Sequence, residues 1–213
     1  MTVAGRCSKA VTRRAVRAAR AARDPAAAEA VEVALARQVG LALSVPARPH
    51  PCVAVYLSLP GEPGTTALRD ELRRRGRRVL VPVLRPDLDL DWVLDPGPGA
   101  PADPLRPDGD RLGPGALTAC SLVLVPALAV DPLGTRLGQG GGSYDRALAR
   151  LVAGGPGPLV LAVVHDEEVL AEPLPREPHD VAVDGALTPS GPVLLGPPGT
   201  RRRLPRVGRL PLP

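Results

Sequence analysis

The sequence predicts an α/β protein, a single three-layer α/β/α domain built on a mostly parallel sheet. Three observations carry this. Short Val- and Leu-rich runs alternate with helical stretches in a βαβ rhythm, the signature of a parallel sheet covered by helices. The runs are apolar at nearly every position, as strands buried on both faces are. A length of 213 residues suffices for one core but not for several domains.

Residues 8–23 read as a helix with Lys9, Arg13, Arg17 and Arg20 along one face and small residues such as Ala15, Ala18 and Ala22 elsewhere. The same acid-free, Arg- and Ala-rich start also has the composition of a transit peptide. Asp24 and Pro25 supply an N-cap and a first-turn proline for a second helix running to about Leu41. Residues 52–59 form a β-type run, 65–75 a helix stopped by Gly76, and 78–83 another apolar run. Residues 85–115 are rich in Pro, Gly and Asp and read as a long connection around Trp92, a core anchor, longer than a passive loop needs. Residues 121–125 are a third buried strand, 144–151 a helix, 159–164 a fourth strand and 180–183 a fifth.

Gly and Pro make up 51 of the 213 residues, near the level at which unpatterned sequence is disordered. Leu and Val contribute 57 more, enough burial to offset the chain entropy, so the chain is expected to fold. The longest apolar run, residues 116–130, contains Thr118, Ser121 and Pro126 and is too short to span a bilayer, so no membrane role is expected. Three cysteines, Cys7, Cys52 and Cys120, lie far apart and in no zinc spacing, which fits free buried thiols in a reducing compartment, the cytoplasm.

The net charge of +5 hides an uneven distribution. Residues 1–23 carry seven basic groups and no acid, residues 201–213 carry five Arg and no acid, and the rest holds 15 bases against 22 acids. The alkaline character therefore belongs to two ends rather than to a basic surface, and almost no aromatics are available to stack on bases. Nucleic acid is not an expected partner; an RNA-binding role would have to use those ends and would be lost on deleting residues 201–213. The domain is expected to cover 1–196, with 197–213 a basic, Pro/Arg-rich and disordered tail.

The chain has no Ile, Phe or Asn, and one Lys against 26 Arg. A genome whose base composition depletes AT-rich codons produces this pattern. Lys9, Tyr56 and Tyr144 survive that pressure, which makes them candidates for function.

Between the third strand and the next helix lies DPLGTRLGQGGGSYDR, residues 131–146. Gly138, Gly140, Gly141 and Gly142 clear side chains from a stretch whose bare N–H groups suit phosphate oxygens. The following helix adds its N-terminal partial positive charge, and Arg136 can add a bidentate contact. No Lys-Ser/Thr follows, as in a Walker A loop, and the glycines do not immediately follow their strand, as in a dinucleotide fingerprint. By its glycines alone the segment is a phosphate cradle or a flexible surface loop.

The whole string is more specific. Asp131, Gly134, Arg136, Leu137, Gly138, Gly140, Gly142, Tyr144, Asp145 and Arg146 form a pattern that resembles the 5-formyltetrahydrofolate cyclo-ligase, or methenyltetrahydrofolate synthetase, family. The resemblance extends to a K-x-x-x-R at Lys9 and Arg13, to YLSLPGEPGT at 56–65, and to His179, Asp180, Val183 and Asp184. The only Lys falls on the K-x-x-x-R, and one of the two Tyr, Tyr144, falls on the glycine string.

What the resemblance implies is an ATP-dependent ligase of one-carbon metabolism that closes 5-formyltetrahydrofolate to 5,10-methenyltetrahydrofolate, with Mg²⁺ required and ADP and phosphate released. A formyl group on a ring nitrogen is an amide whose oxygen leaves poorly; phosphorylating that oxygen creates a leaving group and an attackable carbon. Such an enzyme chiefly holds two molecules in line and stabilises charge. By the resemblance, ATP is held by Lys9, Arg13, Arg136, Leu137, Gly138, Gln139, Gly140, Gly141, Gly142, Ser143 and Tyr144. Leu57, Glu62 and the segment Gln139, Gly140, Gly141, Gly142, Ser143 hold the folate, and Asp145 and Asp180 hold Mg²⁺, a hard cation suited to carboxylates and phosphates. No catalytic base is assigned, and a monomer is expected.

Three positions depart from the family pattern. Ser143 stands where an aromatic residue is usual, Gly64 where an acidic residue is frequent, and Gly113-Pro114 where Glu-Pro is usual. They bear on folate recognition more than on ATP, and Ser143 and the missing Glu before Pro114 motivate an alternative, a non-catalytic relative that binds ATP or another small phosphorylated ligand.

Overall fold

Four consecutive buried residues, Cys52–Val55, mark the middle of the sheet, because a strand without a solvent face needs neighbours on both edges and helices on both sides. The computed structural model describes residues 8–44, 51–98, 103–152 and 157–196. In chain order these form α1 (Lys9–Ala21), α2 (Pro25–Ser44), β1 (Cys52–Val55), α3 (Thr66–Arg74), β2 (Arg78–Leu84), β3 (Leu90–Leu94), β4 (Leu122–Pro126), β5 (Ala129–Val130), β6 (Arg136–Leu137), α4 (Ser143–Val152), β7 (Leu159–Val163), β8 (Gly185–Thr188) and β9 (Gly191–Leu194).

Seven strands make one sheet in the order β3-β2-β1-β4-β7-β8-β9. The five central strands run parallel, and β3 and β9 close the two edges antiparallel. Alternation along the strands divides the core into two layers. Val53, Val55, Leu122, Leu124 and Leu161 meet Leu35 and Val39 of α2 and Leu68 and Leu72 of α3. Ala54, Val123, Val125, Val160 and Ala162 meet Ala147, Leu148 and Leu151 of α4, with Trp92 of β3. The expected α/β class with a mostly parallel sheet is the observed one. From β1 the chain turns to β2 on one side and then to β4 on the other, a switch point that leaves a crevice at the carboxyl ends of these strands.

Two sequence expectations need correction. Residues 85–115 contain a strand, β3, paired with β2 through Pro82 and Trp92; the alternation of Asp89, Leu90, Asp91 and Trp92 is an edge-strand pattern lost among prolines and glycines. Residues 180–183 are not a strand. The strand begins at Gly185, and Asp184 ends the approach by accepting the Val160 N–H at 2.8 Å and donating its own to the Val160 carbonyl at 2.9 Å. Strands β5, β6 and β9 were also unanticipated. The sulfurs of Cys52 and Cys120 are buried, free and 3.5 Å apart; Cys7 and the tail from 197 lie outside the described residues. Among the described residues no helix is long and apolar enough to cross a membrane.

Candidate active site

Helix α1 is fastened to the body at its far end. Arg20, buried, donates from Nε and Nη2 to the two carboxylate oxygens of Glu168 at 2.7 Å each, and from Nη2 to the Ala127 carbonyl at 2.7 Å. Glu168 also accepts the His165 N–H at 2.9 Å. Burial alone would raise the Glu168 carboxyl, but the Arg20 guanidinium and His165 overrule it and hold it at about 2. Three helical turns away, about 16 Å along the same face, Lys9 reaches the crevice. The described part of the Arg- and Ala-rich start, α1, thus packs on the body of the fold.

The crevice encloses about 400 Å³ and is lined from α1 by Lys9 and Arg13, after β1 by Tyr56, Leu57 and Glu62, and from the glycine segment by Gly138 to Asp145, with Arg136 and Asp180. The structure therefore brings together every site residue expected from the sequence except Leu137, whose side chain packs away with Leu128 and Ala129. Sequence reasoning missed an apolar wall formed by Leu84, Leu90, Pro104 and Leu105. It belongs to the β2–β3 hairpin and the loop behind it, most of which falls in the connection expected over residues 85–115.

The glycine segment is built from its base upward. Fully buried Asp131 accepts the N–H groups of Leu133, Thr135 and Leu174 at 2.9, 2.7 and 2.8 Å, which shapes the turn before β6. Gly134 has φ +79°, and a Cβ there would lie 2.4 Å from the Val183 carbonyl oxygen; its own carbonyl accepts the Val183 N–H at 2.9 Å. Close backbone contact of this kind, open only to glycine, sets the segment that carries Asp180 against the loop. Further on, arginines take the loop carbonyls: Arg13 Nε donates to Gly138 at 2.9 Å, Arg17 Nη2 to Gln139 at 3.4 Å and Arg146 Nη2 to Gly141 at 3.1 Å. The N–H groups of Gln139, Gly140, Gly141 and Gly142 donate no hydrogen bond among the described residues. Free N–H groups leading into the N-terminus of α4 make an anion cradle.

Two ion pairs flank this cradle. Lys9 Nζ lies 2.7 Å from Asp180 Oδ2 and 3.3 Å from Glu177 Oε1, and Arg136 Nη2 lies 2.8 Å from Asp145 Oδ1. Burial opposes both charges of the first pair, yet the mutual bond raises the Lys9 pKa and lowers that of Asp180. Arg136 also sits 5.9 Å above the Tyr144 ring. Arg136 Nε and the Tyr144 hydroxyl are buried with no hydrogen-bond partner among the described residues, and burial keeps the hydroxyl protonated. Orphaned donors lining a cleft call for a polar ligand.

In the same cleft Glu62 closes a tight loop. Its carboxylate accepts the Leu59 N–H at 3.1 Å, and its own N–H donates to the Leu59 carbonyl at 2.9 Å. Tyr56 Oη donates to the Pro63 carbonyl at 2.7 Å, and Thr65 Oγ1 to the Tyr56 carbonyl at 2.9 Å. Burial raises the Glu62 pKa. At Gly64 the Glu32 carboxylate of α2 sits 2.3 Å from where a Cβ would be, and it caps α3 by accepting the Ala67 N–H at 2.8 Å. An acidic group thus stands beside this position although residue 64 supplies none. Gly113, with φ +85°, donates to Asp91 at 2.8 Å and does not line the crevice, whereas Ser143 does.

The model of the 5-formyltetrahydrofolate cyclo-ligase family matches residues 6–189. The chain belongs to this family. Among curated cyclo-ligases, that of Mycolicibacterium smegmatis is 44% identical over 145 residues, covering 64% of this chain and 73% of the relative. The Escherichia coli K12 cyclo-ligase is 36% identical over 144 residues, covering 65% and 78%. Among solved structures, the Aquifex aeolicus 5,10-methenyltetrahydrofolate synthetase superposes with a TM-score of 0.63 at 26% identity, over 88% of this chain and 92% of its own. The Mycoplasma pneumoniae synthetase, at 17% identity, shares the fold with a TM-score of 0.65 over 84% and 96%. The resemblance drawn from the glycine segment thus holds across most of the chain, and the ligase reading of the sequence agrees with it.

Proposed function

We propose that the chain converts 5-formyltetrahydrofolate to 5,10-methenyltetrahydrofolate with ATP and Mg²⁺, releasing ADP and phosphate, in the cytoplasm. The observation that supports this most is a single cleft lined both by an anion cradle and by a half-buried, partly desolvated carboxylate, Glu62. A phosphoryl donor and its acceptor need such shared space.

In this reading the loop N–H groups, Lys9, Arg13 and Arg136 hold the triphosphate, and Glu62 accepts hydrogen bonds from the pterin amide and amine. The formyl oxygen takes the γ-phosphoryl group and ADP departs; the neighbouring aniline nitrogen then attacks the formyl carbon and loses its proton to solvent, and phosphate leaves with the former formyl oxygen. Arg136 and the unpartnered Tyr144 hydroxyl stand where charge shifts between phosphates. The donor set fits Mg²⁺: Asp145 and Asp180 are two hard carboxylates facing the cradle, which is what an ion that shares its shell with phosphates and waters needs. Bound there, the ion would neutralise charge on the phosphates.

The test is to mix the protein with 5-formyltetrahydrofolate, ATP and Mg²⁺ and follow the methenyl product by absorbance against an ATP-free control. ATP-dependent turnover is the expected result. Ser143, which leaves the cleft without the family's usual ring, favours the second reading of a non-catalytic binder, and folded protein that binds ATP and a folate without product would establish it.

A further inference from the structure

We propose that Arg17, acting through Gln139, is the residue that positions the Glu62 carboxylate, so that α1 serves the folate side of the cleft as well as the nucleotide side. The inference rests on the function proposed above. Arg17 lies one turn beyond Arg13 on α1. Its Nε and Nη2 donate to Gln139 Oε1 at 3.1 and 2.6 Å, and Gln139 Nε2 lies 3.5 Å from Glu62 Oε1.

The chemistry of the amide makes this contact directional. A glutamine amide has one end that only accepts and one that only donates. Turned over, its NH₂ would face a guanidinium that has donors alone, and its oxygen would face a carboxylate that has acceptors alone. Arg17 therefore leaves Gln139 one orientation, with the NH₂ toward Glu62. Without Arg17 the exposed amide is free to rotate, and among the described residues the Glu62 carboxylate keeps only the Leu59 N–H as a direct donor.

Glu62 is sensitive to that loss because burial already penalises its charge. Arg20 of α1 favours the charged form from a distance, and the titratable groups facing Glu62 from other elements are Tyr56 after β1 and Tyr144 on α4. Both phenols are pushed upward by burial and stay neutral near pH 7. Removing the Gln139 donor then raises the Glu62 pKa further and leaves its carboxylate less firmly placed to accept from a pterin amide.

The test uses the full chain as R17M, which keeps the length of the side chain without its donors, and as R17K, which keeps the charge and a single donor nitrogen. Arg17 is exposed, and a thermal melt checks that each variant is folded. With carboxyl-labelled glutamate and E62Q to assign the signal, the ligand-free R17M protein should titrate Glu62 upward by roughly half a pH unit or more, and R17K should restore the wild-type midpoint. In turnover, R17M should raise KM for 5-formyltetrahydrofolate roughly threefold to tenfold while KM for ATP moves less than twofold. A Glu62 midpoint in R17M that coincides with wild type overturns the inference whatever the kinetics. Absence of turnover in wild type would overturn the proposed reaction instead, and the titration would still decide the role of Arg17.

Discussion

The Lys9 ammonium and the Asp180 carboxylate are bonded at 2.7 Å, joining the first helix to the segment that leads into β8. Arg136 and Asp145 repeat the arrangement at 2.8 Å. Two of the three cations proposed to hold phosphate, Lys9 and Arg136, are thus each paired with a carboxylate proposed to hold Mg²⁺. A Mg²⁺–triphosphate unit brings both signs together and can replace both pairs at once, whereas free ATP satisfies the cations and strands the carboxylates. D180N should therefore bind Mg²⁺–ATP roughly tenfold more weakly but bind ATP in EDTA no worse than wild type, and K9M should lose affinity in both conditions. Calorimetric titrations with and without Mg²⁺ check this. Equal losses for D180N in both would remove Asp180 from the metal's side of the site.

The Arg20–Glu168 pair predicts an acid dependence. The Glu168 carboxyl is held at about 2, below its ordinary 4.5. A group depressed on folding contributes stability that is complete above its unfolded value and is lost as pH falls through the folded one, so this contribution should drain away between about pH 4.5 and 2. E168Q strands a buried guanidinium and should cost about 3 to 5 kcal/mol at pH 7, with a flatter decline in acid. Urea unfolding at a series of pH values measures both; an acid slope in E168Q as steep as in wild type would assign that slope to other carboxylates.

Much of this was legible in the chain. Unbroken apolar runs gave β1, β2, β4 and β7, and Gly76 and Pro25 bounded their helices, because these signals are local. The β3 strand was not, since its alternation of Asp89, Leu90, Asp91 and Trp92 is short and sits among turn residues. Residues 180–183 looked like a strand because Val181 and Val183 alternate, yet the Val183 N–H goes to Gly134 rather than into a ladder. Lys9, Arg13, Arg17 and Arg20 could be placed on one helix face, but their separate duties depend on Asp180, Gly138, Gln139 and Glu168, all more than a hundred residues away. Periodicity cannot supply such partners.

Gly134 offers a test of how the two halves of the site are aligned. A methyl group there would press on the Val183 carbonyl, a backbone atom that cannot swing aside, at a positive φ. G134A should destabilise the protein by about 2 kcal/mol or more and shift Asp180 away from Lys9. The mark of misalignment is a Mg²⁺ requirement raised more than the KM for 5-formyltetrahydrofolate. A change in stability alone, with the Mg²⁺ dependence intact at a temperature where the variant is folded, would show that the contact is structural only.

Ser143 begins α4 and lines the cleft, so a ring introduced there meets the ligand rather than the core. An aromatic face stacked on a flat ring system contributes roughly 0.5 to 1.5 kcal/mol beyond burial, and S143Y should tighten 5-formyltetrahydrofolate roughly twofold to tenfold while ATP binding holds. The competing expectation comes from the wall of Leu84, Leu90, Pro104 and Leu105, which presents aliphatic surface to the same space. If that wall already covers the folate rings, S143Y changes nothing and L105A weakens binding instead. Equilibrium titration of the two variants with the folate alone separates the cases, because each variant alters only one of the two surfaces.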